Sequence, residues 1–437
     1  MTAVTVSDQE RGLPSASGHA ASAGRGPSGP GGTPESGVPV FNPFDPDFAA
    51  NPYVQYDALR AAAPVLETPF GIWLLTRYDD VLRILRDPTL SVEARNATLP
   101  LPLQAEMGAR AGEQSRGSRA MLNLDPPDHD RLRRLVAKTF TPKRVEELAP
   151  LCRRIVDDAL DAADAAGGLD VIADLAFPLP FTVISEMLGM PVDRRDDLRA
   201  WSAALVKTLD PIISMEETEA ALDAGDAMTA YVREVIDAKR AAPADDLLSA
   251  LITAEDHGDV LDEQELIDQV VLLYVAGHET TVNLIGNGTL ALLRNPAQAD
   301  RLREDATLDQ NAVEELLRYD PPVQFSGRVT TRELTLGDVT IPNGTFTMTG
   351  LAAANRDPAK WGPTANELDL GREGAAAHVS FGSGVHHCLG AALARLEGRS
   401  AIPALFRRFP NLALATDELE YNGRLVLRGL VALPVTT

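Results

Sequence analysis

Cys388 sits in the run Phe381-Gly-Ser-Gly-Val-His-His-Cys-Leu-Gly390, and a helical pattern follows at Ala391-Ala-Leu-Ala-Arg395-Leu-Glu397. Gly382, Gly384 and Gly390 let the backbone curl tightly and approach a bound group that side chains would otherwise block. A helix N-terminus just beyond supplies unpaired N–H groups and partial positive charge, both of which favour thiolate over thiol. An anionic sulfur held in this way suits a metal. The other cysteine, Cys152, is distant in sequence, so a metal here takes its remaining ligands from elsewhere. Zinc held by His386, His387 and Cys388 is disfavoured, because adjacent ligands cannot easily wrap one tetrahedral ion.

A second constellation is Ala276-Gly277-His278-Glu279-Thr280-Thr281. It falls in the middle of a long apolar helical pattern, where an acid and an alcohol are costly without partners or a purpose. The Thr280 hydroxyl is placed to bond the Ala276 carbonyl four residues back and open the helix locally. Gly277 then leaves room for a small ligand such as dioxygen. His278 is read as a plain surface or core histidine, and Thr281 as a packing neighbour.

The third is cationic. After Asp125-Pro-Pro127, helical spacing puts His129, Leu132, Arg133, Val136 and Phe140 on one face. Two potential cations on a core-facing stripe are expensive unless an anion lies against them.

Phe-Gly-x-Gly-x-His-x-Cys-x-Gly resembles the haem-binding loop of the cytochrome P-450 family, and residues 276–281 are similar to that family's oxygen-activation segment. The resemblance spans roughly residues 40–437. It implies a mainly α fold with small β-sheets, the cytochrome P-450 fold, with a long central helix over haem b. It implies Cys388 as the thiolate ligand of the iron, favouring O–O cleavage, in a loop shaped by Phe381, Gly382 and Gly390. His129, Arg133, Arg328 and His386 would hold the haem propionates. Ala276 and Gly277 would border the cofactor, and the catalytic pair Thr280 and Glu279 would deliver protons. Glu315-Leu-Leu-Arg318 with Arg372 matches a structural core pair, and Asn355-Arg-Asp-Pro358 also fits. Trp361 and Leu368 stand where phenylalanine is frequent in the family.

The implied reaction inserts one atom of O2 into an apolar small molecule, a natural product, lipid or steroid-like compound. Electrons would come from NAD(P)H through a separate reductase and ferredoxin. Rivals are a peroxide-driven peroxygenase, a haem-thiolate isomerase and a non-enzymatic haem sensor or carrier; the Glu279–Thr280 pair favours dioxygen. Arg131, Arg133, Arg134, Lys138, Lys143 and Arg144 form a basic run without an acid. An acidic ferredoxin is expected to dock there, with Arg133 turned inward.

The positioning elements follow from pattern. Asp262-Glu-Gln-Glu265 is a capping-box-like start, with Leu261 and Leu266 as its hydrophobic staple. The helix it opens should run to Arg294, about 50 Å, and residues 270–276 are apolar on all sides. Helices are expected at residues 53–62 and 78–86 and across most of 126–318, and strands at 72–76, 333–341 and 425–435. Residues 91–120 read as a functional or mobile loop. The pocket should draw on that loop, on Leu273 and Ala276, and on residues 323–325 and 427–430.

The chain has 437 residues, 45% hydrophobic and 24% charged, and a net charge of −23. Such acidity argues against nucleic-acid and anionic-membrane binding. No unbroken apolar run reaches the ~18 residues of a spanning helix, and no signal peptide is read at the N-terminus. Two cysteines fit a reducing cytoplasm, Cys152 serving as packing. Residues 1–38, rich in Gly, Ser and Pro, are expected to be disordered, and residues 39–437 to form a single, monomeric domain.

Overall fold

The computed structural model describes residues 39–69, 71–98, 118–191, 193–256 and 258–437. The expected disorder of residues 1–38, and residues 99–117 of the expected loop, lie outside the described residues. The central helix runs Glu263–Leu293, and its capping box is complete. Asp262 accepts from the Glu265 N–H at 2.8 Å, and Glu265 accepts from the Asp262 N–H at 3.0 Å. From Thr281 to Leu292 every residue of this helix is buried. The Pro178–Leu188, Met215–Ala241, Asp309–Tyr319 and Ala391–Arg408 helices pack around it, so it threads the core.

Val171–Leu188 is the one described helical stretch long and apolar enough to cross a membrane, with mean hydropathy 1.6, and 72% of it is buried inside the fold. Asp174 and Glu186 interrupt it, which is why no unbroken apolar run is visible in the sequence.

Helices Tyr53–Ala62 and Tyr78–Arg86 form where periodicity predicts them. A four-stranded sheet runs Val65–Glu67, Trp73–Leu75, Phe346–Gly350, Phe325–Val329 in spatial order. Its middle pair is parallel, with Trp73 opposite Thr347, and its outer pairs are antiparallel. The run at 333–341 is two strands, Leu334–Leu336 and Val339–Ile341, joined as a hairpin through Gly337 at φ +59°.

The strand expected over 425–435 is a larger departure. Only Pro434–Thr436 is strand, paired with Ala413–Leu414 and Gly168–Asp170. The Asp210 carboxylate takes the N–H groups of Leu425 and Val426 at 3.1 and 2.7 Å, so these cannot join a ladder. Single bridges, Val323 to Leu427 and Tyr421 to Leu430, are what remains.

Glu315 and Arg318 are fully buried and form a two-pronged pair at 2.7 and 2.8 Å, with Arg372 joining at 3.1 Å. Arg318 also donates to the carbonyls of Asn355, Ala365 and Glu367. Trp361 and Leu368 are buried at their variant positions, the indole donating to the Ala354 carbonyl at 3.1 Å. Cys152 is fully buried packing, its thiol pushed up to about 12 by burial.

Candidate functional site

A cavity of about 520 Å³ lies against the central helix and gathers the residues that the resemblance implies for the haem and for proton delivery. Cys388, Phe381, Gly382, Gly390 and His386 form one wall, His129, Arg133 and Arg328 one end, and Ala276, Gly277, Glu279 and Thr280 the opposite face.

The cysteine loop closes through the Cys388 N–H, which donates to the Phe381 carbonyl at 2.9 Å. Gly382 and Gly384 adopt φ of +67° and +72°, the left-handed region that side chains disfavour. A Cβ at Gly384 would also fall 2.4 Å from the Leu85 carbonyl. Cys388 is accessible where it faces the cavity. Burial nevertheless pushes its thiol up, against the pull of the Gly390 N–H and of Arg133 and Arg395. The Gly390 N–H at the helix N-terminus favours the thiolate, as the sequence predicts, and burial outweighs it. A metal cation at the sulfur supplies what the loop lacks, because coordination deprotonates a thiol outright.

At the cationic end, Arg328 is buried, and no described carboxylate pairs with it; Ser326 Oγ and the Gly327 carbonyl are its contacts, at 3.0 and 2.6 Å. Burial pushes its pKa down to about 10. His129 is buried with Nε2 unpartnered, its ring 4.3 Å from that of His386. Burial, reinforced by the charges of Arg328, His129 and Arg133, pushes His386 down to about 3. Arg133 donates to the His387 carbonyl at 2.7 Å from the edge of this group. The His129 Nδ1 is held by Asp130 at 2.9 Å, so the buried guanidinium and the single unpartnered Nε2 are the costs that a bound anion removes. These residues fit the propionates of a haem whose iron meets Cys388. Among the described residues no three His, Cys, Asp or Glu side chains gather as a metal cluster.

On the opposite face the Thr280 hydroxyl donates to the Ala276 carbonyl at 2.9 Å, as its spacing predicts. Gly277 lines the cavity as expected and also serves the packing. A Cβ there would lie 3.0 Å from Ile184, so its missing side chain admits a neighbouring helix. Thr281 packs beside Glu397, which lowers the Glu397 pKa slightly against a strong rise from burial. Glu279 meets Arg424 at 3.4 Å, a partner 145 residues away that nothing in the local sequence signals.

Of the expected pocket residues, Val92, Leu273, Ala276, Val323, Phe325 and Leu427 line the cavity. Gln324 faces away, accepting from the Tyr56 hydroxyl, and Arg428 turns to Asp320 at 2.7 Å. The sequence reading missed Met121, Leu122, Ile184, Leu205, Val206, Leu209, Pro211 and Val426. They are ordinary apolar residues, and only folding brings them over one cavity.

The basic run is largely compensated. Arg131 pairs with Glu265, Arg134 and Lys138 share Asp256, Arg144 meets Asp245 at 3.2 Å and Lys143 meets Glu147 at 3.8 Å.

The family profile for Cytochrome P450 matches residues 104–427. The chain belongs to the cytochrome P450 family. It is 45% identical over 408 residues to vitamin D(3) 25-hydroxylase of Pseudonocardia autotrophica, covering 92% of this chain and 97% of that one. Identity to the cytochrome P450 monooxygenase PikC of Streptomyces venezuelae is 43% over 399 residues, 89% and 92% of the two chains. The crystal structure of myxobacterial cytochrome P450 CYP267B1 in complex with myristic acid superposes with a TM-score of 0.82 at 39% identity, covering 90% of this chain and 98% of that one. The protein is a bacterial-type P450 monooxygenase using haem b, with electrons from NAD(P)H through separate redox partners.

Proposed function

We propose that the cavity hydroxylates an apolar, polycyclic or macrocyclic small molecule, with Cys388 as the residue that would hold the haem iron. The observation that carries this reading is the convergence of Cys388, the buried Arg328 guanidinium, the unpartnered Nε2 of His129, and Thr280 on one largely apolar cavity. Haem, when bound, supplies the activation of dioxygen. The chain supplies the rest. Arg328, His129, His386 and Arg133 neutralise and orient the propionates. Met121, Ile184, Val206, Leu209 and Val426 desolvate the substrate and exclude water from it. Thr280 and Glu279, one helical step apart at the cavity wall, hold and pass protons. The substrate class is supported by relatives named for vitamin D(3) and for 6-deoxyerythronolide B hydroxylation.

The test is a ferrous carbon monoxide difference spectrum of the wild type and Cys388→Ala. A thiolate-type Soret band is expected in the wild type and its loss in the variant. Persistence of the band in the variant overturns the assignment.

We place residues 39–437 in the cytoplasm as one catalytic unit, served by a ferredoxin that approaches the Cys388 side over Arg134 and Lys138. These two are still about half exposed while sharing Asp256. Charge reversal at both is expected to slow electron transfer and flatten its salt dependence. A rate and salt slope equal to wild type would remove this surface.

A further inference from the structure

His278, read from sequence as a plain histidine, is fully buried on the central helix. Its ring is caged by Tyr274, Phe181 and Phe177, with centroids at 5.5, 5.7 and 6.1 Å. Nδ1 lies 2.8 Å from the Tyr274 carbonyl. A carbonyl only accepts, so Nδ1 must carry the hydrogen, and the neutral ring then presents a bare Nε2. That Nε2 is buried and has no hydrogen-bond partner. The group it faces is the Glu279 carboxylate, with Oε1 at 3.7 Å. Two acceptors facing each other are satisfied only when a proton lies between them.

We infer that His278 Nε2 and Glu279 Oε1 form one shared proton site, His278 acting as a positioning residue through Glu279. Loading takes one proton from a hydronium ion, breaking its O–H bond and leaving water, and forms an N–H or O–H bond at either atom with the other accepting. Delivery leaves the proton on Oε1, breaks that O–H bond toward the cavity and returns the ring to its neutral Nδ1–H form. No electron moves. The remaining groups around the pair bias it. Arg424 contacts the other Glu279 oxygen at 3.4 Å. Arg199 and Arg195 lie over Phe177 at 4.2 and 5.3 Å, and the Tyr274 hydroxyl is engaged with Ser185 at 3.2 Å. Burial lowers the affinity of His278 for a proton, and the Glu279 charge opposes that.

This inference rests on the reading of Glu279 as a proton carrier, and the experiment separates the two. In 15N-histidine-labelled holoenzyme, in its diamagnetic ferrous carbon monoxide form, the chain's 7 histidines give few signals. His278 is expected to show a protonated Nδ1 and an Nε2 resonance that moves as pH falls below the ordinary imidazole value of 6.5. In Glu279→Gln its proton affinity should fall about tenfold, one pKa unit. In His278→Phe, which suits the aromatic cage, the alkaline limb of coupled product formation should move to lower pH by about one unit or more. His278→Asn, polar but not titrating, should behave alike and covers a folding failure of the first variant. A bare Nδ1, an Nε2 signal insensitive to both pH and Glu279→Gln, or an unchanged limb in both variants overturns the shared site. Normal coupling in both Glu279→Gln and Thr280→Ala overturns the underlying reading instead.

Discussion

Arg318→Ala is expected to lower stability by roughly 3–5 kcal/mol, the cost of stranding a buried charge. The variant should lose haem content in proportion to the fraction unfolded. Arg318 and Glu315 have no solvent exposure, and the guanidinium fork meets the carboxylate through both nitrogens. The same fork ties three backbone carbonyls, those of Asn355, Ala365 and Glu367, into one node. Truncation therefore leaves the buried carboxylate with only Arg372 at 3.1 Å and the Asp369 N–H at 3.0 Å, and strips the guanidinium from the Asn355 and Ala365 carbonyls, while Arg372 still reaches that of Glu367. Arg318→Lys keeps the charge but not the planar fork, so it should recover only part of the loss. Urea unfolding of the three proteins measures this directly. A loss below about 1 kcal/mol for Arg318→Ala would place the pair among weak surface bridges.

Glu397→Gln should flatten the pH dependence of stability on the alkaline side. Glu397 is wholly buried on the Ala391–Arg408 helix, and neither carboxyl oxygen completes a well-formed hydrogen bond. Burial raises its pKa from 4.5 to about 8, with the Thr281 hydroxyl offsetting a small part. Between those two values the native state holds a proton that the unfolded chain has released. Stability therefore falls as pH rises through this window, by about 1.4 kcal/mol per unit. The whole contribution is present below the unfolded value and is lost above about 8. From pH 5 to 8 the wild type should lose on the order of 3–4 kcal/mol relative to Glu397→Gln, which has no proton to surrender. Paired urea titrations across that range give the difference. Parallel stability curves for the two proteins would show that Glu397 ionises normally.

The haem-facing chemistry was legible because each part of it is local. The Phe381–Gly390 turn needs glycine at positive φ, and the Thr280 hydroxyl reaches a carbonyl one turn away. The capping box at Asp262 and Glu265 is local as well. Charge pairing was not legible. Six cations between residues 131 and 144 read as an open basic face. Lys143 has Glu147 one turn on, but the acids that meet Arg144, Arg134 and Arg131 arrive from 101, 122 and 134 residues away, at Asp245, Asp256 and Glu265. The expected strand over 425–435 failed for the same reason, since Asp210 takes its amides from 215 residues off.

Sequence alone therefore determined the reaction class, because a haem-thiolate site is defined by a turn, a helix segment and a short cationic stretch, each readable within about ten residues. Tertiary structure decided what surrounds that chemistry. It set which apolar side chains roof the cavity and that Arg424 meets Glu279. It also left the Nε2 of His278 bare beside a carboxylate. These depend on which surfaces meet when helices pack, and a pairing across a hundred residues leaves no periodicity in the chain.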